Sequence, residues 1–463
     1  MQDSAERIAE LKVVEICAGA GGQSLGLHRA GFRHQLAVEL DENAHRTLRL
    51  NIKRKLVETG MGEDAAEKEA ANVVRLGDVA SLDVWNPADF EGVDLLAGGV
   101  PCPPFSIAGK QLGANDERDL FAWAVELCGV VRPRALMLEN VRGLSSPRFS
   151  AYRQHVLDRL DVQGYVGEWR LLEAKDFGVP QLRPRFVLVA LKKAYAKYFE
   201  WPDTTSMPKK HVGPVLRELM KSNGWDGADS WADGAAAEAV APTIVGGSKK
   251  HGGADLGPTR AKRAWAALGV DAMGVADEAP PKGWAPQRDS KGNLAPGPKL
   301  TTEMVALLQG WGDPSEWEFT GRKTSRYRQI GNAFPPPVAE AVGRKIAAAL
   351  RMEDGGEPVE DDDEHIEDGT VNAVHDPVYL LLRAAKRAMT AEQIAKKLAK
   401  AGTTLEQAEV ESRINHIRHD FEVETKERPS GDVAFRLREF KAFIGQQNHA
   451  RHDQFAQNRS RIS

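Results

Sequence analysis

Short apolar runs alternate with amphipathic stretches along about the first two hundred residues. Leu11 to Ile16 reads as a strand that stops at Cys17-Ala18-Gly19-Ala20-Gly21-Gly22, and a helical pattern follows from Ser24 to Phe32. Gln35 to Leu40 reads as a second strand, and Asp41 caps a helix that runs to Asn51. Lys53 to Asn72 is charged, Ala-rich and helical, and reads as a surface insertion. Strands then follow at Val93 to Ala97, Ala135 to Leu138 and Val187 to Leu191, with helical stretches at Leu120 to Val131 and Tyr152 to Leu160. Strands alternating with helices predict an α/β domain with a parallel, doubly wound, Rossmann-like sheet.

The alternation breaks near Lys192, and Gly, Pro, Trp and Lys dominate to Lys299. This stretch predicts a loop-rich lobe. Helical patterns resume at Thr301 to Gln309 and at Val338 to Leu350, after Pro335-Pro336-Pro337. Glu353 to Asp368 holds many acids and no Lys or Arg, which reads as a disordered linker. Beyond it three helical segments, Val378 to Arg387, Ala391 to Ala399 capped by Thr390, and Leu405 to His419, precede two alternating strands. Those strands, Phe421 to Glu424 and Val433 to Leu437, flank the turn Pro429-Ser430-Gly431. Three helices and a hairpin make a small winged-helix-like pattern. Its third helix carries Arg413, His416, Arg418 and His419, which suit DNA, beside Glu406, Glu409 and Glu411, which suit a protein partner. The expected domains are 1–191 and 300–352 for the α/β part, 192–299 for the lobe, 353–372 for the linker, 373–445 for the winged-helix-like unit and 446–463 for a disordered tail.

Bulk properties narrow the class without naming it. The chain has 463 residues, 42% hydrophobic and 28% charged, with a net charge of −4, as in a globular protein of two or three domains. No apolar run approaches the roughly 18 residues of a membrane span, and the N-terminus has no signal-peptide pattern. Three widely spaced cysteines, Cys17, Cys102 and Cys128, form neither a disulfide framework nor a metal site, and a reducing cytoplasm is the natural compartment.

The chemistry gathers at strand ends. Cys102 lies in Gly99-Val100-Pro101-Cys102-Pro103-Pro104-Phe105-Ser106, on a loop leaving a buried strand at the edge where open α/β sheets bind ligands. Prolines stiffen that loop, which suits a nucleophile as well as a buried small hydrophobe. The glycines after Ile16 let the backbone approach a ligand, Glu39 suits the hydroxyls of a ribose, and Asp78 suits an adenine amino group. Glu139, in Leu138-Glu139-Asn140-Val141, comes off an apolar strand at the edge that bears Cys102, where desolvation would keep its carboxyl protonated. Alternation puts Gln181, Arg183 and Arg185 on one face of an extended segment, where two guanidiniums could hold a carboxylate and a carbonyl oxygen.

Together these segments resemble the DNA cytosine-5 methyltransferases, in that family's motif order and over roughly residues 11 to 350. Leu300-Thr301-Thr302-Glu303, Leu308-Gln309-Gly310-Trp311, Gln329-Ile330-Gly331-Asn332-Ala333 and Pro337-Val338 resemble its later motifs. The chain departs from the family at Cys17, where an aromatic residue is usual, at Leu40, where Trp is common, and at Pro103-Pro104, which replaces Gln-x.

The resemblance implies an S-adenosyl-L-methionine-dependent methyltransferase fold and transfer of a methyl group to carbon 5 of cytosine. Cys102 would be the nucleophile, Glu139 the acid at the ring nitrogen, and Arg185 with Arg183 would hold the base. Cys17, Ala18, Gly19, Gly21, Gly22, Glu39, Leu40, Asp78, Val79, Pro101, Asn332 and Ala333 would bracket the cofactor. The target base would be flipped out of double-stranded DNA, with Ile107 to Arg118 closing over it. Lys110, Arg118, Gln181, Lys249, Lys250 and His251 are the expected DNA contacts, the last three in a glycine-flanked segment of the lobe. One chain carrying all the motifs implies a monomer, in a bacterial or phage-infected cell, with a cognate restriction endonuclease as a possible partner. The rivals are an RNA cytosine-5 methyltransferase and a catalytically idle DNA-binding or regulatory protein. The intact Cys102, Glu139, Arg183 and Arg185 count against the second.

Overall fold

The computed structural model describes residues 10–101, 117–246, 254–288, 292–313, 315–353, 376–385, 387–429 and 431–440. The chain opens with β1 (Leu11–Ile16), α1 (Gly22–Arg29), β2 (Phe32–Glu39), α2 (Glu42–Glu58), α3 (Glu63–Val73) and β3 (Val74–Leu76). It continues through β4 (Leu95–Gly99), α4 (Glu117–Glu126), α5 (Cys128–Val131), β5 (Ala135–Val141), α6 (Ser150–Val162), β6 (Tyr165–Glu173) and β7 (Pro184–Lys192). These strands form one seven-stranded sheet in the order β3-β2-β1-β4-β5-β7-β6. Order reverses between β1 and β4, so the carboxyl ends of β1, β2, β4 and β5 open onto one crevice.

Three details correct the sequence reading. β7 runs antiparallel between β5 and β6, so the sheet is parallel except for one strand. Hydrophobic periodicity carries no strand direction, and β6, part-exposed with Gly167 and charged Glu168 and Arg170, has no clear pattern. The stretch read as an insertion is the end of α2 followed by α3, whose Ala66, Ala70 and Val73 are buried as it delivers the chain to β3. Asp41 caps α2 as expected, accepting from the N–H groups of Asn43 and Ala44.

In the stretch 192–299, α7 (Lys193–Ala196) still packs on β6 and β7, and the loop-rich lobe beyond it holds α8 (Val212–Lys221), α9 (Ala228–Ala232) and α10 (Thr259–Ala267). Its core, built on Leu216, Met220 and Trp265, is continuous with Met304 and Leu308 of α11 (Thr302–Leu308) and Tyr327 of α12 (Lys323–Asn332). Then α13 (Pro336–Leu350) returns to the sheet and lies on α1, where Gly26 and Gly343 allow close approach.

The C-terminal unit comprises α14 (Pro377–Ala384), β8 (Met389–Thr390), α15 (Ala391–Lys400), α16 (Gln407–Asp420), β9 (Phe421–Glu427) and β10 (Val433–Phe440). Its strands pair antiparallel in the order β8-β10-β9. Thr390 and Gln393 form a capping box at α15. The unit is docked on α6: Tyr379 and Phe421 meet His155, Arg383 pairs with Asp158, and Ser150 donates to Asp376. The expected tail, 446–463, and all of the expected linker except Glu353 lie outside the described residues.

Candidate active site

The glycine loop after β1 is shaped by left-handed backbone at Cys17 (φ 52°), Gly19 (φ 58°) and Gly21 (φ 93°). Glycine is required at two further contacts by space. A Cβ on Gly21 would lie 2.4 Å from the Trp317 ring, and one on Gly22 would lie 2.4 Å from the Phe334 carbonyl oxygen. The Trp317 indole donates to the Ala20 carbonyl at 2.9 Å, so the later motifs brace the loop from behind. At the end of β2, Glu39 accepts from the Gly19 N–H at 2.7 Å and from the Asp41 N–H at 2.6 Å. Burial pushes the Glu39 carboxyl above its ordinary range, and these backbone donors oppose the shift.

The loop, the strand ends and α12 enclose a cavity of about 530 Å3. Cys17, Ala18, Gly19, Gly22, Glu39, Leu40, Asp78, Val79, Pro101, Asn332 and Ala333 line it. Gly21 does not, because it faces Trp317 instead. The lining also includes Glu15, Gln23, Arg328 and Phe334, which the sequence reading left out. Glu15 Oε2 accepts from Ser24 at 2.6 Å and faces His34 Nε2 at 2.8 Å. Its Oε1 and the whole Gln23 carboxamide are buried without a partner. Buried polar atoms left unpaired are costly, so they mark where a polar ligand belongs. An acidic and amide-bearing set of this kind fits the amino-acid end of S-adenosylmethionine, and Glu39 fits its ribose. The one signal for Glu15 in the sequence is an acid interrupting an otherwise apolar strand.

Glu139, on β5, sits in register with Gly99 of β4 and Val187 of β7. Its Oε1 lies 2.5 Å from Arg185 Nε, and it borders the cavity. Burial raises the Glu139 carboxyl above the ordinary carboxylate range, with the Arg185 and Arg183 guanidiniums opposing less strongly. Asn140 donates from Nδ2 to the Val100 carbonyl at 3.1 Å, which fixes the chain as it enters Pro101 and Cys102.

Two expected contacts are placed otherwise. Gln181 is fully buried, donates to Leu308 O and Gln309 Oε1, and accepts from the Ile244 N–H, so it braces the lobe and faces no solvent. Arg183 is also buried, and donates to the carbonyls of Ile244, Gly331 and Ala333 at 2.7 to 2.8 Å. It is a strut behind Arg185 and does not line the cavity. Cys102, Lys110, Lys249, Lys250, His251 and most of the expected closing loop lie outside the described residues, as does the side chain of Arg118.

A seven-stranded sheet with one reversed strand, a glycine loop and a ribose-type acid at its carboxyl edge defines an α/β methyltransferase fold. The family model for C-5 cytosine-specific DNA methylases matches residues 11–348, and the chain belongs to that family. It is an S-adenosylmethionine-dependent DNA cytosine-5 methyltransferase. The chain is 58% identical to a Type II methyltransferase M.NaeI of Lentzea aerocolonigenes, over 98% of this chain and 99% of the relative. It is 46% identical to a Type II methyltransferase M.NgoMIV of Neisseria gonorrhoeae, over 73% of this chain and 98% of the relative. Among solved structures, an S. pombe Dnmt2 methyltransferase aligns with a TM-score of 0.46 and 16% identity, over 74% of this chain and 99% of that one. No helix among the described residues is long and apolar enough to cross a membrane.

Proposed function

We propose that Cys102 forms a covalent bond to carbon 6 of a cytosine flipped out of a specific duplex sequence, and that Glu139 and Arg185 hold that base. The observation that carries this reading is the Glu139–Arg185 pair, buried at the cavity edge with Glu139 in register with Gly99, three residues before Cys102 in the chain. The Cys102 thiolate attacks carbon 6, and Glu139 gives its proton to ring nitrogen N3, which leaves carbon 5 electron-rich. Arg185 orients Glu139 and donates a hydrogen bond to the base's O2 oxygen. S-adenosylmethionine, when bound, supplies the methyl group. Glu39 takes the ribose hydroxyls, Asp78 the adenine amine, and Glu15 with Gln23 the amino-acid end. Loss of the carbon-5 proton and departure of the Cys102 sulfur restore the ring.

The lobe of residues 192–299 reads the sequence, with Lys249, Lys250 and His251 as its groove contacts. The C-terminal unit has the element order of a winged helix, three helices with a short strand and a hairpin. Its fixed docking on α6 makes it an arm of the catalytic domain. The protein acts as a monomer in the cytoplasm, beside a restriction endonuclease that cuts the same sequence. Bisulfite sequencing of unmethylated plasmid DNA treated with protein and S-adenosylmethionine tests the reading. Protected cytosines in one short context, absent with Cys102→Ala, support it. Unprotected DNA from a folded, cofactor-binding protein refutes it.

A further inference from the structure

The Glu15 carboxyl is held from behind the cofactor cavity. Glu15 lies on β1 and His34 on β2, and the pairing of these strands slips by one residue between Val13 and Val14. Gln35 is left out of the ladder immediately after His34, and an extra residue of this kind re-aims the side chain beside it. The buried His34 ring brings Nε2 to 2.8 Å from Glu15 Oε2. Ser24, on α1, donates to the same oxygen at 2.6 Å. Two groups thus converge on Oε2, and the ring meets a carboxylate as a donor when its proton is on Nε2. Glu15 Oε1 has no partner among the described residues, and Glu15 lines the cavity. Neither His34 nor Ser24 does.

We propose that His34 is a positioning residue for cofactor binding: its ring pins one carboxyl oxygen of Glu15, so that the other faces the α-amino group of S-adenosylmethionine. The inference rests on the reading that Glu15 and Gln23 take the amino-acid end of that molecule. A carboxyl free to turn gives up rotamer freedom when it meets a ligand, and one already locked by hydrogen bonds has little left to give up. Burial sharpens the requirement, because a carboxyl taken out of water needs donors. His34 and Ser24 supply them on the side away from the cavity and leave Oε1 for the ligand. His34 touches no part of the cofactor and acts only through Glu15.

The test uses the full chain and two ligands: S-adenosylhomocysteine, which carries the amino-acid end, and methylthioadenosine, which lacks it. Calorimetry gives the affinity of each. His34→Leu should weaken S-adenosylhomocysteine by about tenfold, the scale of a lost hydrogen bond to a charged group, and leave methylthioadenosine within about twofold of wild type. His34→Gln, whose amide can donate from the same place, should restore most of the loss. A purely structural role for His34 would weaken both ligands together. In wild type, the imidazole nitrogen resonance of His34, assigned by its disappearance in His34→Gln, should shift with S-adenosylhomocysteine and stay in place with methylthioadenosine. That measurement decides the matter even where His34→Leu does not fold. Equal weakening of both ligands, weakening of neither, or a His34 resonance indifferent to S-adenosylhomocysteine overturns the proposal. Glu15→Gln separates the two readings. If it weakens S-adenosylhomocysteine alone while His34→Leu does not, the amino-acid end still belongs to Glu15 and His34 has no part in it. If it leaves the preference for S-adenosylhomocysteine over methylthioadenosine intact, both readings fall.

Discussion

Asn140 holds the carbonyl of Val100, two residues before Cys102, from the strand position directly after Glu139. The acid and the nucleophile's loop are thereby tied to one point of β5. The Asn140 Oδ1 accepts from the Val141 N–H at 2.8 Å, so the carboxamide cannot turn without losing both bonds. Asn140→Asp replaces the donor to Val100 by an acceptor and sets two oxygens against each other. Misplacement of a reacting group by about 1 Å costs on the order of 100-fold in rate. The expected outcome is a methylation rate lowered by about that factor with S-adenosylhomocysteine affinity within about twofold of wild type. A rate within threefold of wild type would sink this role for Asn140.

Glu139 is raised above its ordinary range chiefly by burial. A raised carboxyl stays protonated to higher pH than an ordinary one, so the proton-donating form is lost as pH rises through the shifted value. The single-turnover rate of wild type should therefore fall on the alkaline side. Glu139→Gln keeps a hydrogen-bond donor at N3 but has no proton to transfer, and should cost about 100- to 10,000-fold. The alkaline decline attributed to Glu139 should vanish in that variant. Rates measured across roughly pH 6 to 9 decide it, and a Glu139→Gln profile that parallels wild type speaks against the assignment.

Gly26 lies inside α1, where helix propensity alone would favour alanine by about 1 kcal/mol. A Cβ there would meet the Pro336 carbonyl oxygen at 2.5 Å and the Ala339 Cβ at 2.6 Å. Overpacking of this kind costs about 1–3 kcal/mol, and here one partner is rigid backbone. Gly26→Ala should thus lower the thermal midpoint by a few degrees. Calorimetry decides it, and a stabilised Gly26→Ala would contradict the α1–α13 contact.

Strand and cap chemistry were the legible parts of this chain. β1 begins and ends where its apolar run does, and Asp41 and Thr390 cap the helices their positions announce. Local pattern stops short of direction and of partners. Nothing in Val187 to Leu191 distinguishes an antiparallel strand from a parallel one, and β3, with three residues, is too short for any period to show. Alternation correctly put Gln181, Arg183 and Arg185 on one face, since all three are buried. It could not say that two of them turn to backbone carbonyls and amides of α11, α12 and the lobe, because such partners leave no mark in side-chain spacing. Glu15 and Gln23 were hidden for the same reason: their unpaired atoms acquire meaning only beside a cavity.

His155 is the pivot of the docked C-terminal unit. It projects from α6 between Tyr379, whose hydroxyl is 3.4 Å from Nδ1, and the edge of Phe421. Burial pushes its pKa down to about 3, helped by the positive charges of Arg159 and Arg383, from an ordinary value of 6.5. A histidine lowered on folding resists protonation only while it stays buried. Above about pH 6.5 neither state is charged and docking keeps its full strength. As pH falls from 6.5 toward 3, the undocked histidine takes a proton that the docked one refuses, and docking weakens progressively. Hydrogen exchange of α14 and α16 should therefore accelerate between pH 6.5 and 5 once intrinsic exchange rates are divided out. Exchange in β1 and β4 should stay level, since their strands lie in the sheet interior. His155→Phe fills the same site with a ring that cannot be protonated, and should remove most of the acid dependence. The Asp158–Arg383 pair is present in both proteins. Equal protection of α14 and α16 at pH 7.5 and pH 5 in wild type would show that His155 does not govern the docking.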